Sequence, residues 1–228
     1  MPIKLIVTDL DGCVHSEASE VWDHHLFYQL ADLCRSGGVA PVTVCTARPQ
    51  PAVETLMKLL DVRVPAICEN GAVIYSLHDN RSYYGPGVTK DGIHGLRTVR
   101  EFVEACILPD YPDMTIQFGK EANLSLFCKQ PERFEDVIPR IYEFNVQTNG
   151  PALKIVPSQL YLNIALAGVD KGTTLRALLA ELGIKQDEAA IARNALEVLG
   201  DMLEGKNMRR QVRLIPARLM AGASTARG

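Results

Sequence analysis

The most constraining feature of this chain is an apolar run, Ile3–Thr8, that ends directly on two carboxylates and a glycine. A nearly continuous apolar run predicts a strand that is buried on both of its faces, as in a parallel sheet. Asp9 and Asp11 follow at once, and Gly12 lets the chain turn sharply beside a ligand. Two neighbouring acids repel each other unless a cation or a proton lies between them. The segment therefore predicts a site for a divalent metal, although an aspartate–glycine pair is also a common turn signal.

The first third of the chain alternates between strand and helix patterns. Apolar residues recur at helical spacing from Trp22 to Arg35, and a β-branched run follows from Pro41 to Thr46. A short helix is predicted over 52–60 and a third strand over 64–68. This order of elements predicts an α/β fold in which helices connect the strands of a doubly wound parallel sheet by right-handed crossovers.

The middle of the chain has a different pattern, which predicts a separate α+β domain at about 80–167. Its first residues, 80–92, are rich in Gly, Tyr and Asp and are predicted to form a linker. The α/β pattern resumes after Gly168, so we expect a core of residues 1–79 and 168–228 with the α+β unit inserted into it. The elements predicted in the insertion are a helix over 99–106, a hairpin of strands 115–118 and 124–128, a helix over 131–144, and strands 153–156 and 160–167.

Polar side chains follow several of the predicted strands. Thr46 and Arg48 come after the second strand, Asn70 and Gly71 come after the third, and Lys171 precedes a helix predicted over 173–182. In open α/β sheets, ligands bind beyond the carboxyl ends of the strands. A threonine hydroxyl and turn amides can donate to a phosphoryl oxygen, and a lysine can neutralise an anion. Each feature also has a simpler interpretation: a strand-ending threonine, an Asn-Gly turn or a solvated lysine.

Composition argues against several classes of function. Mean hydropathy is +0.02, the net charge is −3, and no apolar run reaches the ~20 residues of a membrane span. We therefore expect neither a membrane nor a nucleic acid as partner. The basic stretch after residue 205 lacks aromatic residues, which favours a solvated tail over a patch for anions. Six scattered cysteines predict the reduced thiols of a cytoplasmic protein rather than disulfides or a zinc site.

Four segments resemble motifs of the haloacid dehalogenase superfamily of phosphatases. Val7–Val14 is similar to its first motif, Asp-x-Asp-Gly-Thr, with Cys13 in the threonine position. Cys45–Pro49 is similar to Thr-Gly-Arg-Pro, with alanine in the glycine position. Glu69–Ala72 and Gly168–Leu175 resemble the Asn-Gly-Ala and lysine motifs of the Cof-like, type-IIB cap branch. Within that branch the chain looks most like the group of mannosyl-3-phosphoglycerate and sucrose-phosphate phosphatases.

The resemblance implies a Mg²⁺-dependent phosphatase in which the inserted α+β unit is a cap over the site. Its expected substrate is a small phosphorylated metabolite, first of all a sugar or polyol phosphate. By the same resemblance, Asp9 is the nucleophile that forms an aspartyl-phosphate, and Asp11 is the general acid and base. The remaining implied roles are Lys171 as the third catalytic residue, Thr46, Arg48, Asn70 and Gly71 as phosphate- or substrate-binding residues, and Asp9 and Asp11 as Mg²⁺ ligands.

The last metal motif of the family, Gly-Asp-x-x-Asn-Asp, is altered in this chain. Arg193 and Asn194 occupy the expected distance after the lysine motif, and Gly200-Asp201 comes later. Asp201 is the further ligand that we assign, with Asn194 as an alternative and a solvated helix face as the simpler interpretation of Asp201. The alteration leaves two other functions open. One is a protein that binds a phosphorylated metabolite without turnover, and the other is a nucleotide-sugar transferase whose Asp-x-Asp pair chelates the metal.

Overall fold

The structure is a computed structural model that describes residues 3–14, 21–22, 24–36 and 40–192. Asp201 and its alternative Asn194 lie outside these residues. The described part of the chain forms ten strands and five α-helices. In chain order they are β1 (Leu5–Thr8), α1 (His24–Ser36), β2 (Val42–Val44), α2 (Gln50–Leu60), β3 (Ala66–Cys68), β4 (Val73–Ser76), β5 (Arg81–Tyr84), α3 (Lys90–Phe102), β6 (Thr115–Ile116), β7 (Asn123–Phe127), α4 (Phe134–Gln147), β8 (Leu153–Pro157), β9 (Tyr161–Leu166), α5 (Lys171–Glu181) and β10 (Ala189–Ala192).

The core is a parallel sheet with helices on both faces, which confirms the predicted doubly wound α/β fold. Strand β1 lies between β10 and β2, and both pairings are parallel. A parallel bridge between Cys45 and Ile67 continues the sheet to β3. Alternate side chains of a strand point to opposite faces. Ile6 accordingly packs with residues of α1 and α2, whereas Leu5 and Val7 pack with residues of α5. The carboxyl ends of β1, β2 and β3 therefore lie side by side.

The predicted linker over 80–92 is wrong. Strand β5 pairs antiparallel with β4, which pairs with β3, so residues 81–84 extend a core hairpin. Helix α3 begins at Lys90, where the Thr89 side chain caps it by accepting from the Gly92 amide at 3.0 Å. One of the glycines that suggested a loop is needed for packing. A Cβ at Gly85 would lie 2.2 Å from the Gly71 carbonyl oxygen, so only glycine allows this approach.

A second sheet has the strand order β6-β7-β9-β8 and is antiparallel throughout. We refer to this sheet, with the helices α3 and α4 that pack on it, as the cap. The predicted hairpin is confirmed as the β6–β7 pair. Apolar side chains of β7 and β9 pack in one cluster with residues of α3 and α4. The alternate positions form the opposite face, which carries the polar side chains of Asn123, Ser125 and Asn163 together with Ala165, Phe127 and Tyr161. Among the described helices, none is long and apolar enough to cross a membrane.

Candidate active site

Asp9 lies directly after β1, and its carboxylate is held from two sides. The Leu10 amide donates to Oδ1 at 2.8 Å, and the Lys171 ammonium donates to Oδ2. The exposed fractions of the Asp9 and Lys171 side chains are 33% and 31%, so a small molecule can reach the carboxylate. The result is an oriented, accessible carboxylate with a cation beside it.

Lys171 is the first residue of α5, where a positive charge is unfavourable for the helix dipole. The helix is capped by Asp170, whose side chain accepts from the Thr173 amide at 2.7 Å. Burial lowers the pKa of Lys171, but the charge of Asp9 and the hydrogen bond to it raise that pKa overall. The lysine is therefore protonated at neutral pH, and Asp9 is the anion that explains its position.

Asp11 is bound by Arg48 in a two-point ion pair. Arg48 donates from Nη2 to Oδ1 at 2.6 Å and from Nε to Oδ2 at 2.9 Å. The guanidinium also lies over the Trp22 ring, 5.8 Å from its centroid. Hydrogen bonding to Asp11 is the main cause that raises the pKa of Arg48. Arg48, which we predicted to bind phosphate, thus orients the second aspartate in this structure.

Thr46 and Asn70 build the adjoining turns. Thr46 is fully buried, and its hydroxyl accepts from the Arg48 amide at 3.2 Å. Its carbonyl accepts from the Asn70 amide at 3.1 Å, which joins the turns after β2 and β3. Asn70 has a φ of 57°, in the left-handed region that asparagine tolerates better than most residues. Its Nδ2 donates to Asn163 Oδ1 of the cap at 3.4 Å.

Gly71 brings the lysine loop close to the turn after β3. Its φ is 103°, and a Cβ at this position would lie 2.3 Å from the Asp170 carbonyl oxygen. Its own carbonyl accepts from the Thr174 hydroxyl at 2.6 Å. Gly71, which we predicted to bind substrate, therefore holds the first turn of α5 against the core.

The sequence analysis missed Glu69, which joins the core to the cap. This side chain is 1% exposed, and its Oε2 accepts from the backbone amides of Glu121 and Ala122, each at 2.9 Å. Burial raises the pKa of Glu69, and the two hydrogen bonds oppose that rise. Glu69 directly precedes the Asn-Gly turn, which was interpreted by itself. The local sequence does not indicate that the partners of Glu69 lie 52 and 53 residues away.

The structure thus brings some of the predicted site residues together, whereas others form the turns around them. Asp9, Asp11, Arg48 and Lys171 form the centre, and Asn70 lies at its edge toward the cap. Thr46 and Gly71 shape the surrounding turns. Three polar residues of the cap, Lys120, Ser125 and Asn163, were also absent from the predicted site residues. The signal that could have found two of them is a polar residue at every second position of a strand.

The donor set at the centre partly fits Mg²⁺. Carboxylate and carbonyl oxygens are the ligands that this hard cation prefers, and Asp9 and Asp11 supply them. Across the ranges that the structure describes, no group of three or more His, Cys, Asp or Glu side chains is arranged to hold a metal. The predicted ligand Asp201 lies outside those ranges and stays a prediction.

Comparisons with known proteins concern the family and the fold. The family model described as haloacid dehalogenase-like hydrolase matches residues 6–100. No curated protein matches the sequence significantly.

Several solved structures have a similar fold. One is a Thermoplasma acidophilum protein, with 15% identity, a TM-score of 0.61, and coverage of 84% of this chain and 76% of that one. A haloacid dehalogenase-like hydrolase from Bacteroides thetaiotaomicron has 15% identity, a TM-score of 0.60 and coverage of 83% and 80%. The C-terminal domain of trehalose-6-phosphate phosphatase from C. albicans has 16% identity, a TM-score of 0.62 and coverage of 78% and 62%. At these identities the likeness concerns the fold alone.

Proposed function

We propose that this chain, whose residues 6–100 match the haloacid dehalogenase-like hydrolase model, is a Mg²⁺-dependent phosphatase of small phosphorylated metabolites. The observation that carries the proposal is the accessible Asp9 carboxylate beside the Lys171 ammonium, with the Arg48-bound Asp11 next to it. An anionic nucleophile, a cation for the incoming phosphate and a second carboxyl group are what phosphoryl transfer through a covalent intermediate requires.

Asp9 is the nucleophile. One of its oxygens attacks phosphorus, the ester bond breaks, and the carboxyl becomes an aspartyl-phosphate. Lys171 reduces the repulsion between this carboxylate and the phosphoryl oxygens, because it stays protonated. The hydrogen bond from the Leu10 amide fixes the orientation of the carboxylate before the attack.

Asp11 is the proton carrier. In its protonated form it gives a proton to the leaving alcohol, and it then takes one from the water that hydrolyses the aspartyl-phosphate. Both of its oxygens accept from Arg48 in the present arrangement, whereas a protonated carboxyl needs one oxygen for its own proton. We therefore propose that the ion pair loosens when substrate binds, with Arg48 turning toward the phosphate.

Mg²⁺ would be held by the Asp9 carboxylate and the Asp11 backbone carbonyl, and it supplies positive charge that polarises the phosphoryl oxygens. The expected substrates are sugar or polyol phosphates, because the polar face of the cap offers hydrogen bonds to a polar alcohol. The name of the C. albicans neighbour, a sugar-phosphate phosphatase, agrees with this proposal. We also propose a cytoplasmic location, which six cysteines outside any disulfide support.

The test is hydrolysis of p-nitrophenyl phosphate with Mg²⁺ by the full chain and by Asp9→Asn. Asp136→Asn, on an exposed position of α4, is the matched control. We expect turnover that requires the metal, vanishes in Asp9→Asn and persists in Asp136→Asn, together with a beryllium fluoride adduct on Asp9. Turnover that survives Asp9→Asn would refute the mechanism. A folded protein that binds phosphate esters without hydrolysing them would favour the non-catalytic binder, and hydrolysis of nucleotide sugars alone would favour the transferase.

A further inference from the structure

The polar face of the cap sheet is turned toward the catalytic centre. Along β7, Leu124 and Leu126 pack into the cap core, so Ser125 between them points to the other face. Asn163 of β9 lies directly opposite Ser125 in the ladder. Asn163 Oδ1 accepts from Asn70 Nδ2 of the core turn at 3.4 Å, and this contact places the face beside the site.

Lys120, in the turn before β7, supplies a positive charge on this face. Its Nζ donates to Ser125 Oγ at 2.6 Å, and within the described residues it forms no ion pair. Burial lowers the pKa of Lys120 to about 8, while the charges of Glu69 and Asp11 oppose that change. Lys120 is partly buried, and an ammonium that is partly removed from water without an ion-pair partner is costly for a folded protein. Such a group near a catalytic centre is therefore a candidate for ligand binding.

Some N–H donors on this face have no acceptor among the described residues. Lysine only donates, so Ser125 Oγ accepts from Lys120, and its own proton goes to Asn163 Oδ1 at 2.7 Å. The Nδ2 group of Asn123 is buried and has no partner among the described residues. Two N–H groups of Lys120 likewise have no assigned acceptor there. Asn163 Oδ1 already accepts from Ser125 and Asn70. The groups that remain are the Lys120 ammonium and the Asn123 Nδ2 group, both of which donate, and such a set binds an anion better than it binds hydroxyl groups.

We propose that Lys120, together with Asn123, binds a second anionic group on the alcohol part of the substrate. The proposal rests on the phosphatase function, because Asp11 must protonate the leaving alcohol, and the cap face meets the core at Asn70 on the edge of that site. The substrate class is then a sugar or polyol phosphate that also carries a carboxylate or a second phosphate. Lys120 is a specificity residue in this scheme and takes no part in breaking the ester bond.

The test uses matched pairs of esters that differ in the second acidic group: phosphoglycerate against glycerol phosphate, and glucose bisphosphate against glucose phosphate. Lys120→Met removes the charge but keeps most of the stem, Lys120→Arg keeps the charge, and Lys129→Met changes an exposed lysine of the same cap. We expect Lys120→Met to lower kcat/KM roughly 10- to 100-fold for the acidic member of at least one pair, mainly through KM. Both neutral members should change less than about threefold, Lys120→Arg should restore part of the loss, and Lys129→Met should behave as the wild type.

The pair that responds identifies the acidic group, a carboxylate or a second phosphate. Equal losses on acidic and neutral esters, or no loss on either, would overturn the proposal. Failure of the phosphatase function is seen separately, because the wild type would then hydrolyse neither p-nitrophenyl phosphate nor either member of any pair. Calorimetry with Asp9→Asn adds a measurement without turnover. That variant should bind the acidic ester more tightly than its neutral partner, and adding Lys120→Met should remove the difference. Equal affinities in Asp9→Asn would contradict the inference.

Discussion

The guanidinium of Arg48 binds the carboxylate of Asp11 at two points, with hydrogen bonds of 2.6 and 2.9 Å. The two residues are 37 positions apart in the chain and meet because β1 and β2 are parallel neighbours. A planar fork that matches a carboxylate fixes its orientation as well as its charge. The position of Asp11 therefore depends on a residue that is not itself a nucleophile or a proton carrier.

Replacing Arg48 by lysine should separate orientation from charge. We expect Arg48→Lys to lower kcat by about 10- to 100-fold, because an ammonium cannot reproduce the two-point contact. Arg63→Lys is the control, since the Arg63–Asp61 pair is exposed and is not part of the proposed site. Steady-state kinetics with p-nitrophenyl phosphate checks both variants, and unchanged kcat in Arg48→Lys would show that Asp11 needs no such clamp.

Lys171→Met should affect activity far more than stability. Removing the cation beside Asp9 should lower kcat by roughly 10²- to 10³-fold, because a fixed charge next to the phosphoryl oxygens is lost. About a third of each side chain is exposed, so the free energy of unfolding should change by about 1 kcal/mol or less. Lys58→Met, which breaks a pair with Glu54 on the surface of α2, is the control. A large fall in the melting temperature without a kinetic defect would contradict this assignment.

Glu69→Ala should destabilise the protein by about 2–3 kcal/mol. The change leaves the Glu121 and Ala122 amides without their acceptor in a buried turn. Glu121→Ala alters an exposed side chain of the same turn and should cost little. Urea unfolding measures both variants, and equal midpoints would show that the Glu69 contact does not stabilise the fold.

The pH dependence of Glu69 has a defined sign. Burial raises the pKa of this acid above its ordinary value of 4.5, so the folded state binds more protons than the unfolded chain in the window between the two values. The stability contribution of Glu69 is greatest below the ordinary pKa and falls as the pH rises through the raised one. Glu69→Gln keeps an acceptor oxygen and does not titrate. Its free energy of unfolding, relative to the wild type, should therefore increase with pH across this window, and a constant difference would contradict the assignment.

Gly71→Ala should cost more than Gly183→Ala. Both glycines have positive φ, 103° and 66°, but a Cβ at Gly71 would lie 2.3 Å from the Asp170 oxygen, whereas a Cβ at Gly183 meets nothing within 4 Å. The backbone strain of an L residue applies to both, and the collision adds about 1–3 kcal/mol at Gly71 alone. Thermal unfolding compares the two variants. Since Lys171 follows Asp170, Gly71→Ala should also lower kcat, and equal behaviour of the two variants would show that the loops separate freely.

Local patterns were sufficient for the α/β fold and for the centre of the site. The apolar run before Asp9 predicted a buried parallel strand, and the polar residues after successive strands predicted a common edge. Asp9 and Lys171 are 162 residues apart in the chain and form a hydrogen bond. They meet at the carboxyl ends of the strands, where ligands bind in open parallel sheets. The pattern failed over 80–92, where residues that form β5 and the start of α3 were interpreted as a linker.

The sequence by itself determined which residues end the strands, because apolar periodicity and strand-ending polar residues are local properties of the chain. Only the tertiary structure decided the partners. Arg48 pairs with Asp11, Glu69 binds the cap turn, and Asn70 donates to Asn163, and none of these contacts follows from spacing. The physical reason is that an ion pair or a buried hydrogen bond depends on distances of a few ångströms between elements far apart in sequence, and packing alone sets those distances.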